Sequence, residues 1–141
     1  MSTTSLPSQF VLALASLQRV ALKRVDRHLN IHGISFTEFI VLRALAAEGD
    51  HTLRRIDLAE EVGLSASGIT RVLAPMAKIG LIKKELNPRD ARVSLVKLTA
   101  AGRSIFEDAS RTFEQGAQAL TSSLDSRQMK AVTEAVALVG R

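Results

Sequence analysis

Residues 56–80 contain a short apolar helix, a glycine turn and a second helix with a polar cap, and this order constrains the fold most strongly. The small Ala59 lets the second helix pack close, and Gly63 ends the first. Ser65 is a residue type that caps helix starts, and Gly80 is the glycine expected just beyond a helix end. This pattern predicts a helix-turn-helix pair, although an ordinary helical hairpin has the same pattern.

A β-hairpin is predicted directly after the helix pair. Its strands are expected at residues 81–85 and 93–98, and the connection at 87–92 contains Asn, Pro and Asp, which favour turns. Arg89 and Arg92 lie in this connection, and arginine on a thin ribbon suits the narrow minor groove of DNA. A helix pair followed by a basic ribbon is the layout of a winged helix-turn-helix.

Long amphipathic helices are predicted on both sides of this centre. Apolar residues recur at steps of three and four in three segments, residues 8–30, 99–123 and 125–139. A helix of 20 residues is about 30 Å long, more than one small domain can cover, so we expect its surplus apolar surface to pack on a second subunit. We therefore predict a mainly α fold, with a winged helix-turn-helix lobe at 35–99 and a helical dimerisation region at 1–34 and 100–141.

The start of the second helix of the pair carries small or hydrogen-bonding residues on its outward side. Such a helix end can enter a major groove about 12 Å wide and reach the edges of bases. Arg71 can pair with guanine or bind a phosphate, and Thr70 can meet a thymine methyl or a phosphate. Pro75 lies inside this helix and removes one backbone hydrogen bond, so we expect a bend or a weakened turn there.

The net charge of +5 is concentrated in the middle of the sequence. Residues 54–103 contain ten basic and five acidic residues, so these 50 residues carry the whole excess. A basic centre between neutral flanks is typical of a module that binds a polyanion. A solvated basic face that only maintains solubility is the alternative that charge alone leaves open.

Several other classes of protein are not expected. The sequence has no Cys, which excludes a disulfide framework, a thiolate zinc site and a cysteine redox sensor. It contains no nucleophile–base pair, phosphate loop or paired carboxylates, so we predict neither an enzyme nor a cofactor. Residues 1–9 have no basic residue ahead of the apolar run 10–17, and that run is far shorter than the roughly 20 residues of a membrane span. We therefore expect no signal peptide, no membrane partner and a cytoplasmic location.

Over nearly its whole length the chain resembles the MarR (multiple antibiotic resistance regulator) family of bacterial transcription factors. The resemblance is carried by residues 57–60, 63–65, 70–73, 78–82, 87–92 and 98–102. Its most specific part is the Arg-Asp-Ala-Arg wing followed by Leu-Thr-Ala-Ala-Gly, while Asn87 departs from an acidic residue common in the family. The resemblance implies a homodimer with interleaved terminal helices that represses genes from a pseudo-palindromic operator in double-stranded DNA. It also implies release by a small ligand, often aromatic or anionic.

The resemblance further implies which side chains bind DNA. These candidates are Ser65, Ser67, Thr70, Arg71, Lys83, Lys84, Arg89 and Arg92. The four on the helix would face the major groove, Arg92 would enter the minor groove, and Arg89 would support it on the backbone. Lys83 and Lys84 are phosphate candidates, and we interpret Asp90 as a partner in an ion pair that shapes the wing turn. A non-specific architectural DNA-binding protein is the alternative function.

A second group of candidates concerns an effector. Ligands of this family often lie between the dimer helices and the winged lobe, and by position His28, His32 and Phe36 could line such a cleft. The simpler interpretation, which we favour, is that they pack this junction. The two histidines are four residues apart, a spacing that can bind a metal, but carboxylates would have to come from elsewhere and we predict no metal site.

Overall fold

The computed structural model describes residues 3–141, which form six α-helices and a small antiparallel sheet. The helices are α1 (Leu6–Leu29), α2 (Phe36–Ala46), α3 (Arg55–Val62), α4 (Ala66–Lys78), α5 (Ala100–Leu120) and α6 (Ser126–Val139), with a 3-10 turn at Asn30–His32. The strands are β1 (Thr52–Arg54), β2 (Ile82–Asn87) and β3 (Asp90–Leu98), in the order β1-β3-β2. This architecture confirms the prediction of a mainly α winged helix-turn-helix fold.

Local capping chemistry sets the helix boundaries. The hydroxyl of Ser65 accepts a hydrogen bond from the Gly68 N–H at 3.0 Å, so it satisfies one of the unpaired donors at the start of α4. Ser35 and Glu38 form a reciprocal capping box at the start of α2. Gly63 ends α3 in the left-handed conformation, with φ of +73°, which a residue with a side chain rarely adopts. The turn between α3 and α4 is thus fixed on both sides by local sequence.

The hydrophobic core lies beneath the helix-turn-helix pair. Its largest fully buried side chains are Leu29, Val41, Leu42, Leu45, Leu58, Ile69, Leu73, Met76 and Val96. Three of them lie on the inner side of α4 and therefore fix the position of that helix. Phe39 of α2 packs against Phe106 and Phe113 of α5, with ring centroids 5.5 and 4.9 Å apart. The core thus connects the lobe that carries α4 with the long helix that follows the wing.

The wing strands are longer than the sequence predicted. β2 extends to Asn87 and β3 begins at Asp90, so the turn is Pro88–Arg89 alone rather than residues 87–92. The ladder continues across a bulge because Asn87 pairs with Asp90 on the opposite strand. The side chain of Asn87 accepts a hydrogen bond from the Arg89 N–H at 2.9 Å, which closes the turn. Residues whose chemistry favours a turn therefore close a longer hairpin.

Helix α4 continues through Pro75 to Lys78 without a break. Proline lacks the N–H that would bond to the Arg71 carbonyl, but the next turn is intact, since the Ile79 N–H donates to the Pro75 carbonyl at 3.1 Å. Leu73 and Met76 are fully buried on either side of the proline. The helix is thus not interrupted at Pro75, and the buried side chains on both sides of the proline pack it in place.

The end of α4, the base of the wing and the start of α5 meet at one tightly packed point. Thr99 donates its hydroxyl to the Gly80 carbonyl at 2.6 Å and accepts from the Gly102 N–H at 3.0 Å. A Cβ atom at position 102 would overlap the carbonyl oxygen of Leu81 and come within 2.9 Å of Leu98. Only glycine allows this approach, which gives the Leu-Thr-Ala-Ala-Gly segment a physical role.

Among residues 3–141, no single helix is both long and apolar enough to cross a membrane. The segments Leu6–His32 and Phe36–Ala46 are long and apolar enough when they are taken together, but a bend of 71° separates them. The second of these segments supplies Val41, Leu42 and Leu45 to the core.

Candidate nucleic-acid interface

The start of α4 presents a row of exposed polar side chains. Ser65, Ser67, Thr70 and Arg71 are all exposed, while Ile69 between them is buried. The Ser65 hydroxyl is already used in capping and lies 3.3 Å from the hydroxyl of Ser67. Within residues 3–141, the guanidinium of Arg71 has no hydrogen-bond or ion-pair partner, so all five of its donors are available to DNA.

Thr70 is held by an arginine that sequence reasoning did not select. Arg55, the first residue of α3, donates from Nη1 to the Thr70 hydroxyl at 2.6 Å. That hydroxyl in turn donates to the Ala66 carbonyl at 3.0 Å. The only available sequence signal was the place of Arg55 at the start of the first helix of the pair, inside the basic stretch.

The wing carries an ion pair between Asp90 and Arg92. One carboxylate oxygen of Asp90 accepts from the backbone N–H and from Nε of Arg92, each at 3.0 Å, and the other oxygen accepts from Nη2 at 3.2 Å. The side-chain bond, and after it the backbone bond, holds the pKa of Asp90 below its ordinary value. The ion pair predicted for Asp90 is thus present, and its partner Arg92 has a side chain that is 91% exposed.

Lys83 and Lys84 lie on opposite faces of the wing, because successive residues of a strand alternate. Lys83 lies on the same face as Glu85, and its Nζ is 3.6 Å from the Glu85 carboxylate. Lys84 pairs across the ladder with Val96, and Val96 shares its face of β3 with Ser94, which lines a groove that Arg92 also lines. Lys84 therefore lies on the face that carries Ser94 and Lys83 lies on the other face, so the two lysines are not equivalent phosphate contacts.

A groove of about 220 Å³ separates the start of α3 from the wing. Three arginines line it, Arg54 at the end of β1, Arg55 at the start of α3 and Arg92 in the wing, together with Ile56, Val93 and Ser94. Arg54 is already paired, since its Nε and Nη2 donate to the Asp57 carboxylate at 2.7 and 3.0 Å. Guanidinium groups bind phosphate oxygens in bidentate fashion, so the groove has the chemistry of a site for a DNA backbone.

Comparison with known proteins identifies the family. The family model described as MarR family matches residues 32–93, which span α2, the helix pair and most of the wing. The curated relatives include the HTH-type transcriptional regulator MhqR of Bacillus subtilis, which is 27% identical over 116 residues that cover 82% of this chain and 79% of MhqR. The chain belongs to the MarR family. It is a DNA-binding transcription regulator with a winged helix fold.

Solved structures of other DNA-binding proteins have the same fold. Sco3205, a MarR family transcriptional regulator from Streptomyces coelicolor solved in complex with DNA, superposes with a TM-score of 0.88 at 20% identity, covering 99% of this chain and 89% of Sco3205. BpsR of Bordetella bronchiseptica is a protein whose DNA binding is regulated by 6-hydroxynicotinic acid. It superposes with a TM-score of 0.88 at 19% identity, and the match covers 99% of this chain and 98% of BpsR. At these identities the likeness concerns the fold.

In this MarR-family chain the three effector candidates all contact α5. The His28 ring donates from Nδ1 to the Arg24 carbonyl at 2.8 Å, and it lies against Gly116, where a Cβ would be 3.2 Å away. His32 is hydrogen-bonded through Nε2 to the Thr112 hydroxyl at 2.6 Å. Phe36 stacks on Phe113 with the ring centroids 5.7 Å apart. These are the contacts of a packed junction, and within residues 3–141 no three His, Cys, Asp or Glu side chains form a metal-binding group.

Proposed function

We propose that this chain is a repressor that binds a pseudo-palindromic operator as a homodimer, with the start of α4 in the major groove and the wing in the minor groove. The observation that supports this most directly is the position of Arg55. It bonds to Thr70 of α4 and lines the same groove as Arg92 of the wing, so helix and wing belong to one continuous basic surface. Such a surface can follow a DNA backbone from one groove to the next.

The proposed homodimer is supported by the terminal helices. Large apolar side chains are exposed on α1 and α6: Leu6, Phe10, Val11, Leu12, Leu14, Leu17, Val20, Leu22, Val132, Val136, Leu138 and Val139. Monomeric proteins rarely expose so large an apolar surface. We assign residues 1–34 and 100–141 to the dimer region and 35–99 to the DNA-binding lobe. The two regions differ in their proposed roles but share one hydrophobic core, because Leu29 and Ala109 pack in the same core as the residues of the lobe.

Selection of bound fragments from genomic DNA tests this function. A dimeric repressor enriches one pseudo-palindromic sequence whose half-sites lie about one helical turn apart, and removal of the protein raises transcription beside it. Replacing Arg71 by Ala should then reduce the preference for that sequence over random duplex. If the bound fragments covered the genome evenly, and affinity fell equally with salt on every duplex, the protein would instead be a non-specific architectural DNA-binding protein.

The wing assignment predicts a specific loss of affinity. Arg92→Ala should weaken operator binding by about 1–3 kcal/mol, because the minor groove loses the guanidinium that its negative potential attracts. Binding is measured by fluorescence anisotropy at one fixed salt concentration. Arg111→Ala is the control, since it removes an equal charge from an exposed side chain on α5. Equal affinities for the two variants would contradict the wing assignment.

The two wing lysines make a matched pair for a second measurement. Lys84→Ala should lower the slope of log affinity against log salt by about one, because one phosphate contact is lost. Lys83→Ala should leave the slope unchanged, since Lys83 lies on the opposite face beside Glu85. Equal changes in slope would show that the DNA does not follow the face that carries Lys84 and Ser94.

We further propose that a small aromatic or anionic ligand releases the protein from DNA. BpsR, which has the same fold, is a protein whose DNA binding is regulated by 6-hydroxynicotinic acid. A ligand that binds only the folded protein at 100 times its Kd adds about 2.7 kcal/mol of stability, so a panel of aromatic carboxylates can be screened by thermal shift. A true effector raises Tm and lowers operator affinity, and replacing His28, His32 or Phe36 should weaken it. A panel without any such compound would oppose this part of the proposal.

A further inference from the structure

We propose that Arg55 is a positioning residue that orients Thr70 so that its methyl group, not its hydroxyl, contacts one thymine in each half-site. This inference rests on the proposed function, because it concerns how the start of α4 recognises an operator. It goes further by assigning a chemical basis for specificity at one base and a role to Arg55.

The Thr70 hydroxyl is already engaged within the protein. It accepts from Arg55 Nη1 at 2.6 Å and donates to the Ala66 carbonyl at 3.0 Å. Its single proton and one of its two lone pairs are therefore in use. The hydroxyl cannot donate to guanine or thymine without giving up its bond to the helix backbone.

The two bonds also fix the conformation of the side chain. A helical Thr normally divides between two rotamers, because its hydroxyl can bond to the carbonyl one turn earlier. Arg55 adds a charge-assisted bond, which is stronger than a neutral one, and it selects the conformation that satisfies both partners. Arg55 is half-buried between α3 and α4, in contrast to the exposed Arg54. The side-chain conformation of Thr70 is thus fixed before DNA binds.

The methyl group is then the part of Thr70 that can contact thymine, because the free lone pair of the hydroxyl can only accept a hydrogen bond and thymine has no donor in the major groove. Thr70 is exposed and lies beside Arg71, which has its donors available. A threonine methyl makes an apolar contact with the C5-methyl of thymine, the feature that distinguishes thymine in the major groove. The pair Thr70–Arg71 would therefore combine one apolar contact with one hydrogen-bonding contact.

The experiment replaces each thymine of the selected operator in turn by deoxyuridine, which lacks only the C5-methyl. The full-length protein should show one position per half-site where affinity falls about three- to ten-fold, as expected for a lost methyl contact. Thr70→Val keeps the methyl and removes the hydroxyl, and valine holds one rotamer in a helix without any hydrogen bond, so this penalty should persist. Thr70→Ser keeps the hydroxyl and removes the methyl, so the penalty should disappear.

Arg55→Met tests the positioning role, since it removes the donor to Thr70 and keeps a side chain of similar length. It should reduce the deoxyuridine penalty at that one position, a change that mere loss of charge or of stability would not produce. Thermal melting shows whether each variant is folded.

Two results would overturn this inference alone: a penalty that survives Thr70→Ser, or a Thr70→Val variant that loses operator preference as Arg71→Ala does. The second would mean that the hydroxyl leaves Arg55 and contacts the DNA. Equal binding to every duplex would overturn both this inference and the proposed function.

Discussion

Replacing Gly102 by Ala is expected to lower the free energy of unfolding by about 3 kcal/mol or more, and Tm by about 10 °C. The added Cβ would overlap the Leu81 carbonyl oxygen, which belongs to the backbone and cannot rotate away as a side chain can. The same atom would press on Leu98, which is buried. Relief requires α5 to move away from the base of the wing, which would also disturb the bonds of Thr99 to Gly80 and Leu81.

Gly49→Ala is the matched control for this substitution. A Cβ at Gly49 would meet no atom within 4 Å, and its backbone conformation is one that alanine adopts. We expect it to leave the protein as stable as before or to add about 0.4–1 kcal/mol, since alanine restricts the unfolded chain. Thermal unfolding followed by circular dichroism compares the two variants. If both melted at the same temperature, the packing at Gly102 would not be the constraint described.

The parts of the fold that the sequence predicted are those set by neighbouring residues. Ser65, the cap that the sequence predicted, bonds to an N–H group three residues later, an interaction that needs no tertiary structure, and the structure has the same bond at Thr99 and Asp125. The length of the wing depends instead on pairing between strands. Asn87 and Asp90 have the chemistry of turn residues, yet the ladder extends to them because a bulge brings them opposite each other.

The features of the DNA-binding site also divide into those that follow from local sequence and those that depend on tertiary packing. The exposed face at the start of α4 follows from the period of a helix, and the separation of Lys83 from Lys84 could have been predicted from the alternation of a strand. The contact between Arg55 and Thr70 could not, because it joins residues 15 apart in sequence and depends on how α3 crosses α4. Sequence position suggested a base or phosphate contact for Thr70, and the structure adds the partner that holds its hydroxyl.

Breaking the proposed dimer is expected to have the largest effect on DNA binding. Leu17 is 51% exposed on α1, and Leu17→Glu would place a charge in the apolar surface that a second copy should cover. A dimer binds its second half-site as an intramolecular event, which contributes about 10²–10⁴ in affinity. We therefore expect operator affinity to fall at least about 100-fold, while binding to an isolated half-site stays unchanged because α4 and the wing are intact.

We expect a second copy rather than an unrelated partner because helices at both ends of the chain, α1 and α6, expose apolar side chains. None of the residues of α6 is buried, although Val132 and Val136 form part of an apolar face. A two-fold axis brings the same surface of each subunit together, so α1 and α6 of one copy can cover those of the other. Light scattering at micromolar concentration should give a dimer for the wild type and a monomer for Leu17→Glu. Gln18→Glu, a change at the neighbouring exposed position, should remain dimeric. A monomeric wild type that still binds the whole operator tightly would refute the dimer, because a single winged lobe would then account for the affinity.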